Sequence, residues 1–99
     1  MTALQRFQSW YLAQCDGDWE HGAGITISTL DNPGWSIEVD LTGTAAEAKP
    51  FTKVWRESSE HDWLHATSNG STFKIACGPQ NLEEALSLFC DWAADENRE

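Results

Sequence analysis

The chain has 99 residues, and its 16 acidic residues outnumber the 6 basic ones, which gives a formal net charge of −10 at pH 7. This balance argues against nucleic acid and anionic membranes as partners, because both are bound through clustered Lys and Arg. It favours a basic protein as the partner, since opposite net charges accelerate encounter. The length suits one domain, residues 1–99, and the 6 Trp predict an aromatic core.

Two further classes of protein are disfavoured. No apolar run approaches the roughly 20 residues needed to cross a bilayer, and no basic segment followed by an apolar one opens the chain. We therefore expect a cytoplasmic protein. Cys15, Cys77 and Cys90 are odd in number and form no C-x-x-C pair, which argues against a disulfide framework or a zinc ribbon.

Residues 2–15 are predicted to form the first helix. Thr2 and Gln5 have the spacing of a capping box, in which the two side chains bond each other's backbone. Apolar residues recur three or four positions apart, at Leu4, Phe7, Tyr11 and Cys15. The helix should end at residues 16–18, where Gly17 can adopt a left-handed conformation.

Strand-like alternation follows the helix. Residues 25–28 alternate between apolar and polar, and residues 35–41 do so strictly after a predicted turn at 31–34. This pattern predicts a hairpin with one apolar face and one wet, acidic face. The acidic face would carry Glu38 and Asp40.

Three more strands are predicted, over residues 51–57, 62–67 and 73–77. Asn81 and Glu84 then form a second capping pattern, which opens a helix that runs to about Ala94 and leaves a frayed tail at 95–99. The order helix, about five strands, helix predicts an α+β fold. Short connections favour an antiparallel meander with both helices packed on one face of the sheet.

The densest polar cluster is the run Asp16-Gly17-Asp18-Trp19-Glu20-His21. Its acidic spacing is similar to the start of an EF-hand loop, but His21 replaces the required Gly and Ile27 the final acidic ligand, which argues against calcium. One interpretation is a recognition loop, because an aromatic residue flanked by carboxylates suits a basic partner. The other is a loop whose Glu20 and His21 bond the backbone and orient Trp19.

The histidines offer a weaker metal hypothesis. His61 and His65 lie four residues apart, and on the predicted strand that spacing separates them by about 13 Å. A shared metal would need a third element that brings His21 or Cys15 close. Solvated or hydrogen-bonded histidines are the favoured interpretation.

Cys77 is the residue most typical of an enzyme. It ends a predicted strand and precedes a predicted helix, whose dipole would stabilise a thiolate in the manner of rhodanese-type sulfurtransferases. No Arg lies between Arg56 and Arg98 to build a sulfur-binding loop, and Cys77 is in phase with the apolar Phe73 and Ile75. The pattern favours a buried structural thiol.

Two long segments and several shorter ones together resemble a known family. The long ones are CDGDWEH at 15–21 and TLDNPGW at 29–35, and the shorter ones are Trp10-Tyr11, Gly24-Ile25, Asp40-Leu41, Asp62-Trp63 and residues 78–82. This set resembles the bacterial immunity protein 53 family. The resemblance implies an antidote of a polymorphic toxin system, which binds and neutralises a cognate toxin. It implies no catalytic residues.

The sequence as a whole predicts an immunity protein that binds its toxin stoichiometrically, without catalysis, cofactor or metal. The toxin is expected to be basic. Charge alone makes a nuclease the candidate toxin. The predicted partner-binding residues are Asp16, Asp18, Trp19, Glu20, His21, Glu38 and Asp40. If Trp19 belongs to the core, only the carboxylates are expected to contribute to partner binding. Two alternatives stay open: a thiol enzyme that uses Cys77, and a metal- or ligand-binding module built on His21, His61, His65 and Cys15.

Overall fold

The first helix, α1, begins with the predicted capping box. The computed structural model describes residues 1–94, and in it α1 spans Ala3–Gln14. The Gln5 backbone N–H donates to Thr2 Oγ1 (3.1 Å), and the Thr2 N–H donates to Gln5 Oε1 (2.9 Å). Two of the four donors that a helix start leaves unpaired are thereby satisfied. The chain leaves the helix at Cys15, and Gly17 has a φ of +96°, as predicted.

The buried face of α1 differs from the predicted stripe. Phe7 is buried as expected, but Leu4 is 55% and Tyr11 41% exposed. Ala3 and Trp10 face the core in their place. The face is rotated because the helix docks through its aromatic rings, with Phe7 and Trp10 each meeting Phe89 edge-on at centroid distances of 5.7 and 4.8 Å.

The sheet has the five antiparallel strands that the alternation predicts. They are β1 (Ile25–Leu30), β2 (Gly34–Asp40), β3 (Val54–Ser59), β4 (Asp62–Ser68) and β5 (Thr72–Cys77). Their spatial order is β1-β2-β5-β4-β3, and every neighbouring pair is antiparallel. The α+β fold is therefore confirmed, but the expected meander is wrong, because β5 lies between β2 and β4.

The segment between β2 and β3 explains this order. Residues 41–53 carry the chain from the middle of the sheet to its far edge, and Leu41 and Ala46 are buried on the way. The predicted strand start at Phe51 is also wrong, because Phe51 belongs to this connection. Phe51 packs edge-on against Phe73 (4.7 Å) and Trp92 (5.7 Å), and strand pairing begins only at Val54.

The second helix, α2, spans Leu82–Ala94 and lies with α1 on one face of the sheet. Phe89 of α2 and Phe73 of β5 are fully buried and meet edge-on, with their centroids 5.1 Å apart. Burial of each such ring stabilises the fold by about 1.5–3 kcal/mol. Trp10, Trp35 and Trp92 pack against this core, in agreement with the aromatic core that the Trp content predicts.

The opposite face of the sheet is not covered by either helix and is called the open face below. It carries the side chains that alternate with the core, including Glu38 on β2, Lys74 on β5 and His65 on β4. Within residues 1–94, neither helix has the length and apolar character needed to cross a membrane. The predicted fraying of 95–99 lies outside the described residues.

Candidate functional site

The acidic run at residues 16–21 forms a loop that bonds to itself. Glu20 accepts backbone N–H bonds from Asp16 (2.9 Å) and Gly17 (2.8 Å), one on each carboxylate oxygen. Asp16 Oδ1 accepts from the backbone N–H groups of Asp18 and Trp19, each at 3.0 Å. A short 3₁₀ helix, Trp19–His21, completes the segment.

These hydrogen bonds shift the acidity of both carboxyl groups. The Trp19 and Asp18 N–H groups stabilise the ionised form of Asp16 and lower its pKa. The pKa of Glu20 is lowered by its own backbone N–H and then by those of Asp16 and Gly17. Both residues therefore hold the loop in shape as well as carrying charge. The prediction that Glu20 bonds the backbone is confirmed.

Trp19 is buried, at 9% exposure. Its ring packs edge-on against Trp10 with centroids 5.8 Å apart, and its Nε1–H donates to the carbonyl oxygen of Asp40 (2.9 Å). The expectation of an exposed aromatic anchor at this position is therefore corrected: Trp19 is a core residue. Asp18 and His21 on either side of it are exposed.

The other two predicted residues lie at one end of the open face. Glu38 is exposed, and in the sheet it stands opposite Lys74 on β5. Asp40 is half-buried, and its Oδ1 accepts the backbone N–H of Thr42 (3.0 Å). Because Trp19 bonds the Asp40 carbonyl, the structure brings the loop and this end of the sheet together.

An aromatic cluster at the other end of the open face was not predicted. The rings of Trp55 and His65 stack in parallel, 3.5 Å apart with an interplanar angle of 2°, and Trp63 lies 5.1 Å from His65. Trp55 is 61% exposed, whereas Trp63 is 9% exposed. In β4 apolar residues stand on both faces, so alternation alone does not assign Trp63. The pairing of Trp63 with Glu57 of β3 places its side chain on the open face.

A surface cleft of about 390 Å³ adjoins this cluster. It is lined by Trp63, His65, the carboxylates Glu57 and Glu60, and by Asn32 and Ser59. His65 Nε2–H donates to Glu57 Oε2 (3.1 Å), which holds that carboxylate beside the ring. The cleft therefore combines aromatic faces with negative charge.

A polar network on the helix-covered face was also not predicted from the sequence. Arg56 of β3 pairs with Glu84 of α2 and with Asp62 of β4 (2.7 Å). Asn81 Nδ2 donates to both carboxylates at 3.0 Å, and its Oδ1 accepts the Trp63 backbone N–H (3.3 Å). The helix begins after Asn81 as predicted, and this side chain joins α2 to the sheet.

Cys77 lies in an environment that opposes nucleophilic chemistry. It is fully buried, and burial together with the nearby Glu84 carboxylate raises its pKa to about 11. A reactive thiol requires the opposite shift. The structure therefore disfavours the thiol-enzyme alternative at Cys77.

The histidines do not share a site. His65 is on β4 and bonds Glu57, while His61 lies exposed in the turn before it. In the described part of the chain, residues 1–94, no three His, Cys, Asp or Glu side chains are grouped as metal ligands.

Comparison with known proteins gives one match. The family model of immunity protein 53 matches residues 4–94, which is nearly the whole chain and includes all five strands, α2 and all but the first residue of α1. No curated protein and no solved structure shows significant similarity to the chain. On the strength of the family match, this chain belongs to the immunity protein 53 family.

Proposed function

We propose that the protein is an immunity protein that binds a cognate bacterial toxin one to one and neutralises it in the cytoplasm. The strongest support is its membership of an immunity protein family, which implies a toxin partner. Neutralisation by occupation of the toxin requires a complementary surface and no turnover. The structure suits such a role, because it presents charged groups on a strand and on a loop that its own hydrogen bonds hold in shape.

The distribution of charge supports a basic partner. Arg6 pairs with Asp91 (2.8 Å), Arg56 is held between two carboxylates, and Lys49 Nζ lies 5.3 Å from the centroid of the Trp92 ring. Lys53 Nζ lies 5.6 Å from the centroid of the Trp55 ring, so four of the five cations within residues 1–94 are engaged with neighbouring groups. Exposed carboxylates outnumber them, at Asp16, Asp18, Asp31, Glu38, Glu47, Glu57, Glu60 and Glu83 among others. A basic toxin would be steered toward this surface.

The proposed contact surface includes the loop at 16–21 and the adjoining end of the open face. Its charged members are Asp16, Asp18, Glu20, Glu38 and Asp40, with His21 at the border. Trp19 supports this surface indirectly, because its buried indole donates a hydrogen bond to the Asp40 carbonyl and so holds the loop against the sheet. Asp18 and Glu38 are the members best placed to meet a partner, because both are exposed and Asp16 and Glu20 also bond the loop backbone.

The proposal extends to the kind of toxin. Nuclease toxins carry basic surfaces because they bind phosphates, and an acidic protein can occupy the same surface. Net charge is the sole support for this choice. Assay of the recovered toxin on DNA and RNA, with and without the immunity protein, tests it directly.

Co-expression tests the central proposal. The chain is expressed together with the toxin encoded beside its gene, and growth and the recovery of a 1:1 complex are measured. We expect rescue of growth and a stable complex. Growth arrest with no recovered complex would refute the immunity function.

A pair of charge-matched variants tests the surface. Asp18→Asn with Glu38→Gln removes two carboxylates from it, and Glu47→Gln with Glu83→Gln removes two exposed carboxylates elsewhere. We expect the first pair to slow association with the toxin several-fold at low salt, and the second to have a smaller effect. Association should also slow between about 50 and 500 mM ionic strength, since the Debye length shortens over that range. Equal effects of the two pairs would exclude this surface.

A further inference from the structure

We propose that the cleft between Trp63, His65, Glu57 and Glu60 receives an arginine side chain of the toxin. This proposal rests on the proposed function and names the chemistry of one contact. The cleft lies on the open face, at the end opposite Glu38, so a partner that covers this face would reach both. It is separate from the seven residues that the sequence identifies.

Flat aromatic surfaces are the first reason for choosing a guanidinium. His65 is clamped against Trp55 at 3.5 Å, and the Trp63 ring is inclined to His65 by 48°. The rings therefore form a rigid, angled wall. Arg stacks its planar guanidinium on such rings and is more weakly hydrated than Lys, so it loses less on leaving water.

Paired carboxylates are the second reason. Glu57 and Glu60 both line the cleft, and the side chain of Glu57 is 62% exposed. The hydrogen bond from His65 reaches Oε2 of Glu57 and holds that carboxylate in place. A guanidinium carries five N–H donors in one plane. Its edge can therefore donate to the carboxylates while its flat face stacks on a ring.

Among the described residues, no Lys or Arg lines the cleft. Arg56 is a neighbour in sequence, but it pairs in register with the core residue Leu64 and lies on the helix-covered face with Glu84. Lys53 Nζ lies over the Trp55 ring at 5.6 Å. The cleft, at about 390 Å³, is far larger than the ~30 Å³ share of one water molecule and has room for a side chain.

The exposed Trp55 supports a docking role for the same region. A Trp that is 61% exposed on a folded surface gains much from burial, and Trp and Arg are the residues most enriched among binding hot spots. Covering Trp55 would also desolvate the neighbouring carboxylates, which strengthens their attraction for a cation.

A titration with a small probe tests the chemistry of the cleft. The folded protein is titrated with Nα-acetyl-arginine methylamide, and the Trp indole N–H signals are followed by NMR. The citrulline analogue, which has nearly the same shape and no charge, is the control. We expect arginine to shift the signals of Trp55 and Trp63 and citrulline to leave them in place. Equal shifts with both probes, or none with arginine, would overturn the proposal.

A charge-matched pair of variants identifies the carboxylates. Glu57→Gln with Glu60→Gln keeps an oxygen that can accept from His65 but removes both charges, whereas Glu47→Gln with Glu83→Gln removes two charges outside the cleft. We expect the first pair to abolish the arginine-induced shifts and to weaken toxin binding about 10-fold or more. The second pair should preserve the shifts.

The two proposals fail in different ways. If the wild-type chain binds no toxin, the immunity function is refuted whatever the titration shows. If it binds toxin and the cleft variant binds as tightly as the control variant, the arginine contact is refuted and the immunity function stands. Folding of each variant is verified from its urea denaturation midpoint, and Trp55→Ala provides an independent substitution in the same region.

Discussion

The indole Nε1–H of Trp19 donates a hydrogen bond to the backbone carbonyl of Asp40, 2.9 Å away and 21 residues further along the chain. The bond joins the acidic loop at 16–21 to the last residue of β2. It explains how two acidic segments that are distant in sequence come to share one surface. It also explains why a Trp stands inside an acidic run: its ring is buried and its neighbours face the solvent.

Trp19→Phe tests this connection. The Phe ring would keep most of the packing against Trp10 but leave the Asp40 carbonyl without its donor. We expect the free energy of unfolding to fall by about 1–3 kcal/mol, measured by urea denaturation. The matched control is Trp55→Phe, which is 61% exposed and should change stability by no more than about 0.5 kcal/mol. Equal losses would argue against the hydrogen bond as the cause.

Thiol labelling tests the environment of Cys77. Burial and the Glu84 charge raise the pKa of this thiol to about 11, and burial also raises the pKa of Cys90. Cys15 is half-buried at the end of α1. We expect iodoacetamide at neutral pH to label Cys15 first in the native protein, and all three cysteines at similar rates after unfolding. Rapid native labelling of Cys77, read by mass spectrometry, would restore the thiol-enzyme alternative.

Acid denaturation tests the pairing of Arg56 with Glu84. The Arg56 hydrogen bond lowers the pKa of Glu84 below its usual 4.5 in the folded state. The resulting stability is complete above about pH 4.5 and is lost as the pH falls through the folded-state pKa. Arg56→Ala should therefore lower the urea midpoint at pH 7 and reduce its dependence on pH below 4.5. Lys74→Ala, which removes a cation from the open face, should leave that dependence unchanged.

Gly34→Ala tests a close backbone approach at the start of β2. A Cβ at this position would overlap the carbonyl oxygen of Cys77 and lie 3.1 Å from Cζ2 of Trp63. The carbonyl belongs to the neighbouring strand and cannot move alone, so we expect a loss of more than about 2 kcal/mol in the free energy of unfolding. At Gly22 the nearest atom to an added Cβ is 3.5 Å away, so Gly22→Ala is the control. Similar stability of the two variants would contradict the predicted clash.

The sequence predicts local features of the fold well and the pairing of its strands less well. The capping box at Thr2 and the alternation along β2 are confirmed because they depend on residues a few positions apart. The meander is wrong because strand order depends on contacts across the whole chain. The long connection, in which Leu41 and Ala46 are buried, carries the chain to the far edge of the sheet, where β3 lies.

In the candidate surface too, the sequence predicts some features and tertiary structure decides the others. Composition, the run at 16–21 and the family resemblance identify an acidic member of the immunity protein 53 family and the segments that carry its charge. Tertiary structure alone decides that Trp19 is core and Trp55 is exposed, because both are Trp and only the neighbours they meet differ. It also creates the cleft beside His65, which is lined by residues of β3, β4, the turn between them and the turn between β1 and β2. The sequence places five of the six lining residues in one predicted hairpin, but only the register of β3 on β4 and the approach of Asn32 from the turn between β1 and β2 bring them to one cleft.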